Sequence, residues 1–157
     1  MKIELVVVGK TVEPYLNAGV AIYLKRLPHY ISINYTVIPD LKQTKKLSEA
    51  QIKKAEGDLI LKQVEKADLL VLLDERGKQF TSKKLANHMQ QKMNAGVRTM
   101  AIVIGGAYGF SDEVYAVAKE KWSLSGLTFS HQMVRLFIVE QLYRVFTILK
   151  GEPYHHE

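Results

Sequence analysis

An apolar run turns directly into a glycine-rich segment at Thr99-Met-Ala-Ile-Val-Ile-Gly-Gly-Ala-Tyr-Gly109. A run without charges that ends in glycines is typical of a strand buried on both faces of a parallel sheet, followed by a tight turn. Residues 69–73 form a second run of this kind. Helical patterns separate these strands from their neighbours, which predicts an α/β fold with a mainly parallel sheet flanked by helices.

The remaining element boundaries follow from capping residues, prolines and alternating apolar residues. Further strands are predicted at 3–8, 31–38 and 122–124, with a turn at 74–77. Helices are predicted from Pro14 to 27, from Ser48 to 66, from Thr81 or Ser82 to 95, from Ser111 or Asp112 to 119, and over 132–150. No linker or repeat interrupts this order, so residues 1–157 are predicted to form a single domain.

Composition narrows the class of protein. The chain has 157 residues, no cysteine and a net charge of +6. The absence of cysteine excludes disulfide scaffolds, thiol nucleophiles and cysteine-ligated zinc, and agrees with a reducing cytoplasm. No segment approaches the roughly 20 apolar residues of a membrane span, and the N-terminus reads as a strand rather than a signal peptide. The positive charge favours a polyanionic partner such as RNA, although charge also serves solubility.

Three strand ends converge on one predicted pocket. Ligands of parallel sheets bind outside the carboxyl ends of strands, here after Leu73, at Gly105 and along residues 124–129. The glycines at 105–109 match neither a dinucleotide fingerprint nor a P-loop, so phosphate-binding motifs are absent. For a single loop the alternative is an ordinary connection, but three ends at one edge favour a ligand site.

The last predicted helix is apolar nearly all round, apart from a narrow stripe that contains Glu140 and Arg144. Such a helix is buried on several sides, so we expect it to pack on its own sheet and against a partner subunit. The alternative is a central helix within one chain. Glu140 and Arg144 stand four residues apart, which suits either a mutual ion pair or a site at an interface.

Two other features carry charge or titratable groups. Lysines cluster at 42, 45, 46, 53 and 54 against the single acid Glu49, which indicates either phosphate contacts or a solvated helix face. The tail 153–157 places two histidines beside a tyrosine, a spacing that does not suggest a metal site. His131 is a candidate capping residue of the last helix, and His29 and His88 are expected on the surface.

Four motifs in order resemble one known family. Ile104-Gly-Gly-Ala-Tyr-Gly109, Leu124-Ser-Gly-Leu-Thr-Phe-Ser-His-Gln132, Glu140-Gln-Leu-Tyr-Arg144 and Pro153-Tyr-His155 are similar to the ribosomal RNA large subunit methyltransferase H family, which belongs to the SPOUT, or α/β-knot, methyltransferases. The resemblance implies a homodimer with a C-terminal trefoil knot in each chain. It also implies methyl transfer from S-adenosylmethionine to N3 of a pseudouridine in 23S ribosomal RNA, with the assembled ribosome as the expected substrate.

The resemblance also assigns residues. It implies cofactor contacts at Leu73, Gly105, Leu124, Ser125, Gly126, Leu127, Thr128 and Phe129. Candidate catalytic residues are His155 or Glu140 as the general base, Arg144 as the group that stabilises negative charge, and Tyr154 as a contact to the base. The pattern departs at His156, where a Lys or Arg is expected, so the charge at this position is uncertain near neutral pH.

Two other classes of function remain open on the sequence. A non-catalytic RNA-binding or ribosome-associated factor accounts for the charge but not for three converging strand ends. A nucleotide enzyme that uses phosphate chemistry lacks its Lys-Ser/Thr motif. Binding of S-adenosylmethionine separates the first rival from a methyltransferase.

Overall fold

Five strands alternate with five α-helices in the computed structural model, which describes residues 1–156. The strands are β1 (Lys2–Val8), β2 (Ser32–Ile38), β3 (Leu69–Gln79), β4 (Thr99–Ile104) and β5 (Glu120–Ser123). The helices are α1 (Pro14–Arg26), α2 (Glu49–Val64), α3 (Ser82–Asn94), α4 (Asp112–Val117) and α5 (His131–Leu149), with 3-10 turns at Leu27–His29 and Thr44–Lys46. In residues 1–156, no helix is both long and apolar enough to cross a membrane.

The strands form one sheet in the order β2-β1-β4-β3-β5, and every pair in it is parallel. In the centre of the sheet, Leu5 of β1 stands opposite Ile102 of β4. The predicted α/β class and the mainly parallel sheet are therefore confirmed. Because all strands point the same way, their carboxyl ends lie along one edge, which is where the site is expected. The trefoil knot stays a prediction.

Alternation along the buried strands divides the core in two. In β4, Met100, Ile102 and Ile104 face one side of the sheet, where α1, α3 and α5 pack. Ala101 and Val103 face the other side, which is covered by α2 and α4. This arrangement explains the uncharged run in the sequence, because both faces of the strand lie against helices.

Side-chain caps begin four of the five α-helices, whereas α1 begins at Pro14 after Glu13, whose side chain makes no capping bond. Ser48 caps α2 with a complete capping box, in which Ser48 and Gln51 bond each other's backbone nitrogens. Thr81 caps α3 and Ser111 caps α4, which settles both two-residue alternatives. The prediction for His131 is wrong, because Ser130 is the capping residue of α5 and its hydroxyl accepts from the nitrogen of Met133.

β3 is longer than the sequence predicts. The expected turn at 74–77 lies inside the strand, which continues to Gln79. Its pairing with β5 shifts register there, so that Leu73 and Lys78 both stand opposite Trp122. The polar residues between them bulge outward, and this is why they look like a turn when only the sequence is read.

α5 bears on the predicted packing of the last helix. This helix lies on the sheet between α1 and α3, so the expected packing on its own sheet is confirmed. No residue between His131 and Leu149 is classed as exposed, although a single chain surrounds them. Seven of these residues are buried and twelve are only half-buried, so packing against a partner subunit stays a prediction beside the alternative of a central helix within one chain.

A carboxyl-edge pocket and a separate polar cluster

A pocket of about 650 Å³ lies at the carboxyl edge of the sheet, between the segments that follow β3, β4 and β5. These are the three strand ends expected from the sequence. Seven of the eight residues expected to contact the cofactor line this pocket: Leu73, Gly105, Leu124, Ser125, Leu127, Thr128 and Phe129. Gly126 is the exception. It is exposed and does not line the pocket, because the turn of this loop points it toward solvent.

The loop at 124–130 has a defined shape. The hydroxyl of Ser123 donates to the carbonyl oxygen of Ser125 at 2.8 Å, and the hydroxyl of Ser125 accepts from the nitrogen of Leu127 at 3.0 Å. At its far end, the ring of Phe129 packs against Phe137 of α5 with centroids 4.9 Å apart. Leu127 remains 72% exposed at the pocket. The loop thus presents backbone groups and apolar side chains in a fixed arrangement.

The glycine-rich loop at 105–109 allows other groups to approach closely. A side chain at Gly105 would place its Cβ 3.1 Å from the ring of Phe110. A side chain at Gly106 would place its Cβ 2.7 Å from Oε2 of Glu56 on α2. Burial and the nearby Asp40 raise the pKa of the Glu56 carboxyl. Glycine at 105 therefore allows Phe110 to pack closely against this turn, whereas a larger residue at 106 would require the flexible side chain of Glu56 to move.

Carboxylates at the pocket were missed by the sequence analysis. Asp74 and Glu75 line it directly after Leu73, within the segment expected to be a turn. The hydroxyl of Tyr115 on α4 donates to Asp74 in a short hydrogen bond, and the nitrogen of Arg76 donates to it at 2.8 Å. Burial, with the bond to Asp74, raises the pKa of Tyr115 to about 12. The sequence feature that indicates their position is that both acids immediately follow the end of a buried run.

Three basic side chains also reach the pocket. Lys53 of α2, Arg76 and His131 line it. Burial and the charge of Arg135 lower the pKa of His131, while Asp40 opposes the shift. The imidazole is therefore biased toward its neutral form. The sequence does not predict that the first residue of α5 lines the pocket.

The four expected catalytic residues meet in a separate polar cluster, formed by Glu140, Arg144, Tyr154 and His155. Arg144 donates from Nη2 and Nε to Oε1 of Glu140 at 2.6 and 3.0 Å. Tyr154 donates to the same oxygen at 3.1 Å, and the guanidinium of Arg144 lies 4.7 Å from the centre of its ring. Burial raises the pKa of Tyr154, and the nearby Tyr23 and Glu140 add to this shift.

His155 joins the polar cluster through Arg144, whose Nη1 lies 3.2 Å from Nδ1 of the imidazole. An arginine only donates hydrogen bonds, so Nδ1 is the acceptor and carries no proton in this arrangement. The mutual ion pair expected between Glu140 and Arg144 is therefore present, and it also holds the tail.

The polar cluster and the pocket lie apart within one chain. Val134 lines the pocket, and Arg144 stands ten residues further along α5, a rise of about 15 Å. At that end, Tyr30, which precedes β2, donates to Glu152 at 2.5 Å. The hydroxyls of Tyr23 and Tyr154 lie 3.3 Å apart. The tail is therefore held near the amino ends of the strands, opposite the pocket.

The remaining histidines differ from each other. His29 is exposed, as expected, and so is His156. The expectation for His88 is wrong, because its Nε2 lies 2.7 Å from Oε2 of Glu120 and its ring packs against Phe80 and Trp122. Among residues 1–156, no group of three or more His, Asp and Glu side chains is placed to hold a metal ion.

Comparison with known proteins identifies relatives of this chain by sequence. Residues 1–155 match a family model described as "Predicted SPOUT methyltransferase". The chain is 57% identical over 156 residues to ribosomal RNA large subunit methyltransferase H of Christiangramia forsetii, covering 99% of both chains. It is 53% identical to the protein of the same name from Parabacteroides distasonis, with full coverage of both.

Solved structures agree at the level of the fold. A probable methylase family protein from Haemophilus influenzae superposes with a TM-score of 0.59 at 15% identity, covering 99% of this chain and 70% of the other. A probable methyltransferase from Bordetella pertussis gives 0.59 at 11% identity, covering 92% of this chain and 96% of the other.

Proposed function

The chain belongs to the SPOUT methyltransferase family, and we infer from this membership that it methylates the RNA of the large ribosomal subunit. We propose the finer reaction that its motifs imply, transfer of a methyl group from S-adenosylmethionine to N3 of a pseudouridine in 23S ribosomal RNA. The observation that carries this proposal is the pocket built from three strand ends, together with identity to the named relatives over the whole chain.

The pocket suits S-adenosylmethionine in size and lining. Its volume of about 650 Å³ lies within the usual range of roughly 300–1,000 Å³ for small-molecule sites. Leu73 and Leu124 offer apolar contacts for a flat base, and the backbone of residues 124–129 offers donors and acceptors for its edge. The carboxylates of Asp74 and Glu75 suit the hydroxyl and ammonium groups of the ligand. When bound, S-adenosylmethionine supplies an electrophilic methyl group on a positively charged sulfur.

The polar cluster supplies the groups that the nucleophile needs. N3 of pseudouridine carries a weakly acidic proton, which must leave before or during attack, and the negative charge then spreads to the adjacent carbonyl oxygens. Arg144, oriented by Glu140, donates to one of these oxygens. When Nη1 of Arg144 turns to the RNA base, Nδ1 of His155 can accept the N3 proton instead of the arginine hydrogen bond. Tyr154 stacks on the base or bonds its edge.

The two halves of this site come from different subunits. Within one chain, the polar cluster lies about 15 Å along α5 from the pocket, too far for a methyl group to pass directly. A homodimer that sets the tail of one chain against the pocket of its partner brings the halves together. A two-fold axis forms two such sites at once.

An exposed apolar surface supports the homodimer. Val12, Tyr15 and Ile22 are 73%, 63% and 50% exposed at the start and along the outer side of α1. Tyr15 also touches Met133 of α5, with its hydroxyl 3.9 Å from the sulfur. This surface joins α1 to the half of α5 that borders the pocket, so a partner seated there lies close to it.

The expected substrate is an assembled ribosomal particle in the cytoplasm. Recognition of one nucleotide by this fold depends on the folded RNA surface around it, which an assembled particle provides. Two chains carry a net charge of +12 (twice +6), which favours binding to a polyanion.

Methyl incorporation tests the function directly. Ribosomes from a strain that lacks the modification are incubated with the protein and labelled S-adenosylmethionine, and the modified base is mapped. We expect one methyl group per ribosome, at N3 of a pseudouridine in 23S RNA. Incorporation at a cytosine or a ribose would overturn the base assignment, and better incorporation into free RNA than into ribosomes would overturn the substrate. Absence of heat on titration with S-adenosylmethionine would favour the non-catalytic binding factor.

A further inference from the structure

Both ends of one lysine-rich segment are anchored beside the pocket. At its start, Asp40 follows β2, packs over Gly9 at the end of β1 and lies close enough to pocket-lining His131 to influence its pKa. At its end, Lys53 of α2 lines the pocket itself. Residues 41–52 connect these two anchors.

The segment between these anchors has a defined conformation. Gln43 adopts a left-handed backbone with φ of 58°, and the 3-10 turn Thr44–Lys46 follows it. The capping box at Ser48 then starts α2. Lys45 and Lys46 thus extend, exposed, from a short ordered turn.

The charges on this segment are not neutralised by the protein. We define the lysine rim as Lys42, Lys45, Lys46 and Lys53. Within residues 1–156, no ion pair involves any of the four. The adjacent Lys54, by contrast, pairs with Asp58 at 3.5 Å and Glu113 at 3.9 Å. Lys53 therefore brings a positive charge to the pocket, and the other three lysines lie on the segment that leads to it.

We propose that the lysine rim binds the phosphates of ribosomal RNA that flank the methylated nucleotide; this rests on the proposed function and names the surface it uses. A base that enters the pocket brings its own backbone phosphates to the pocket's edge, where the rim stands. Exposed lysines on an ordered turn suit a polyanion, because each phosphate contact releases counterions and needs no closed cavity. The rim orients the RNA, and the polar cluster of the partner performs the chemistry.

A matched pair of double variants tests this surface. K45Q/K46Q removes two charges from the rim. K62Q/K66Q removes two exposed lysines at and just beyond the far end of the same helix, and neither forms an ion pair within residues 1–156. Both variants therefore have equal net charge. Binding to ribosomes that lack the modification is measured by filter retention between 50 and 250 mM salt, roughly the range over which phosphate contacts weaken. Calorimetry with S-adenosylmethionine checks that each variant is folded.

For K45Q/K46Q we expect the slope of log K against log salt to become shallower by about 2, or about 1 per lost phosphate contact. The KM for ribosomes should rise, while kcat at saturation and the affinity for S-adenosylmethionine stay at the wild-type values. K62Q/K66Q should keep the wild-type slope. Equal slopes for the two variants would overturn the rim as the docking surface. Wild-type protein that binds ribosomes without methylating them would instead overturn the proposed function, so the two failures are distinguishable.

Discussion

The guanidinium of Arg135 donates from Nη1 to the carbonyl oxygen of Gly9 at 2.8 Å, so a buried cation closes the carboxyl end of β1. Its Nη2 donates to Val8 at 2.7 Å, and Nη1 also reaches Thr11 at 3.0 Å. The side chain is fully buried, and burial lowers the pKa of Arg135. This contact joins α5 to the sheet beside the pocket, because His131 on the preceding turn lines it.

Replacing this arginine should destabilise the fold. R135M keeps much of the side-chain volume but leaves the carbonyl groups of β1 unsatisfied, so we expect a loss of about 2–4 kcal/mol in the free energy of unfolding. Urea denaturation measures it. The control is Q132A on the same helix, which removes bonds to Lys10 and Val12 from a half-buried side chain and should lose about 0.5–1.5 kcal/mol. An R135M loss no larger than that of Q132A would contradict this role.

Gly77 is required by the bulge in β3. A Cβ on this residue would lie 2.5 Å from the carbonyl carbon of Trp122 and 2.6 Å from its nitrogen, and backbone atoms cannot move aside as a side chain can. G77A should therefore cost about 1–3 kcal/mol and weaken binding of S-adenosylmethionine, because Trp122 leads into the loop at 124–130. G126A, whose Cβ would lie 3.6 Å from Gln79, should change stability by less than about 0.5 kcal/mol. Thermal melts of the two variants that coincide would exclude the steric argument.

Acid should weaken the attachment of α3 to β5. Burial raises the pKa of Glu120, but hydrogen bonds from Lys92, His88 and Trp122 outweigh it and hold the pKa below its usual 4.5. Folding therefore favours the ionised carboxylate. Its stabilising contribution is complete above about pH 4.5 and is lost as the pH falls through the lower folded pKa.

The test compares wild type with E120Q by urea denaturation from pH 3 to 7. E120Q should be less stable by about 1–3 kcal/mol near neutrality, and the gap should close in acid. D58N, which breaks an exposed pair with Lys54, is expected to change stability by less than about 1 kcal/mol at every pH. A gap between wild type and E120Q that is constant with pH would exclude the ionised Glu120 as its source.

His155 should matter to turnover as the proposed base. H155A removes the proposed base, so we expect kcat to fall by roughly 10²–10⁴-fold and the residual rate to rise with pH as N3 ionises on its own. H29A removes an exposed imidazole that the mechanism does not use, and it should keep the wild-type profile. Full turnover of H155A across the pH range would make the assignment wrong and leave Glu140 as the candidate.

Mixed dimers should reveal whether the two halves of the site belong to different chains. R144A damages the polar cluster, and A107W fills the pocket from an exposed position in its lining. Each variant alone should be nearly inactive. After co-expression, half of the dimers are mixed and each mixed dimer holds one intact site, so we expect about a quarter of wild-type activity. Activity that stays at the level of the single variants would mean that each chain builds its own site.

The sequence predicts those parts of the fold that depend on local chemistry. The bounds of β4 are correct because its uncharged run lies against helices on both faces. The caps at Ser48 and Ser111 are correct because capping depends on residues within one turn. The pocket was predictable since parallel strands share a carboxyl edge. The bulge in β3 was not, because polar residues at 74–77 pair only through the neighbouring strand.

The candidate site was predictable in composition but not in placement. Motif resemblance supplied Glu140, Arg144, Tyr154 and His155 as a set, and their hydrogen bonds join them in one cluster. The length of α5 separates Glu140 and Arg144 from the pocket. The tail with Tyr154 and His155 is held beside them by Tyr23 and Tyr30, more than a hundred residues earlier. No local pattern carries such a contact.

α5 runs between the two edges of the sheet, and its length sets the distance between the pocket and the tail. Its 19 residues span about 28 Å, with the first turn at the pocket and the last turn leading into the tail. An inserted residue would lengthen the helix by about 1.5 Å and rotate the residues that follow the insertion by roughly 100°. The tail would then miss its position even if every other contact survived. Loops in this chain can therefore change in length far more freely than this helix, because the number of residues in the helix determines where the tail lies.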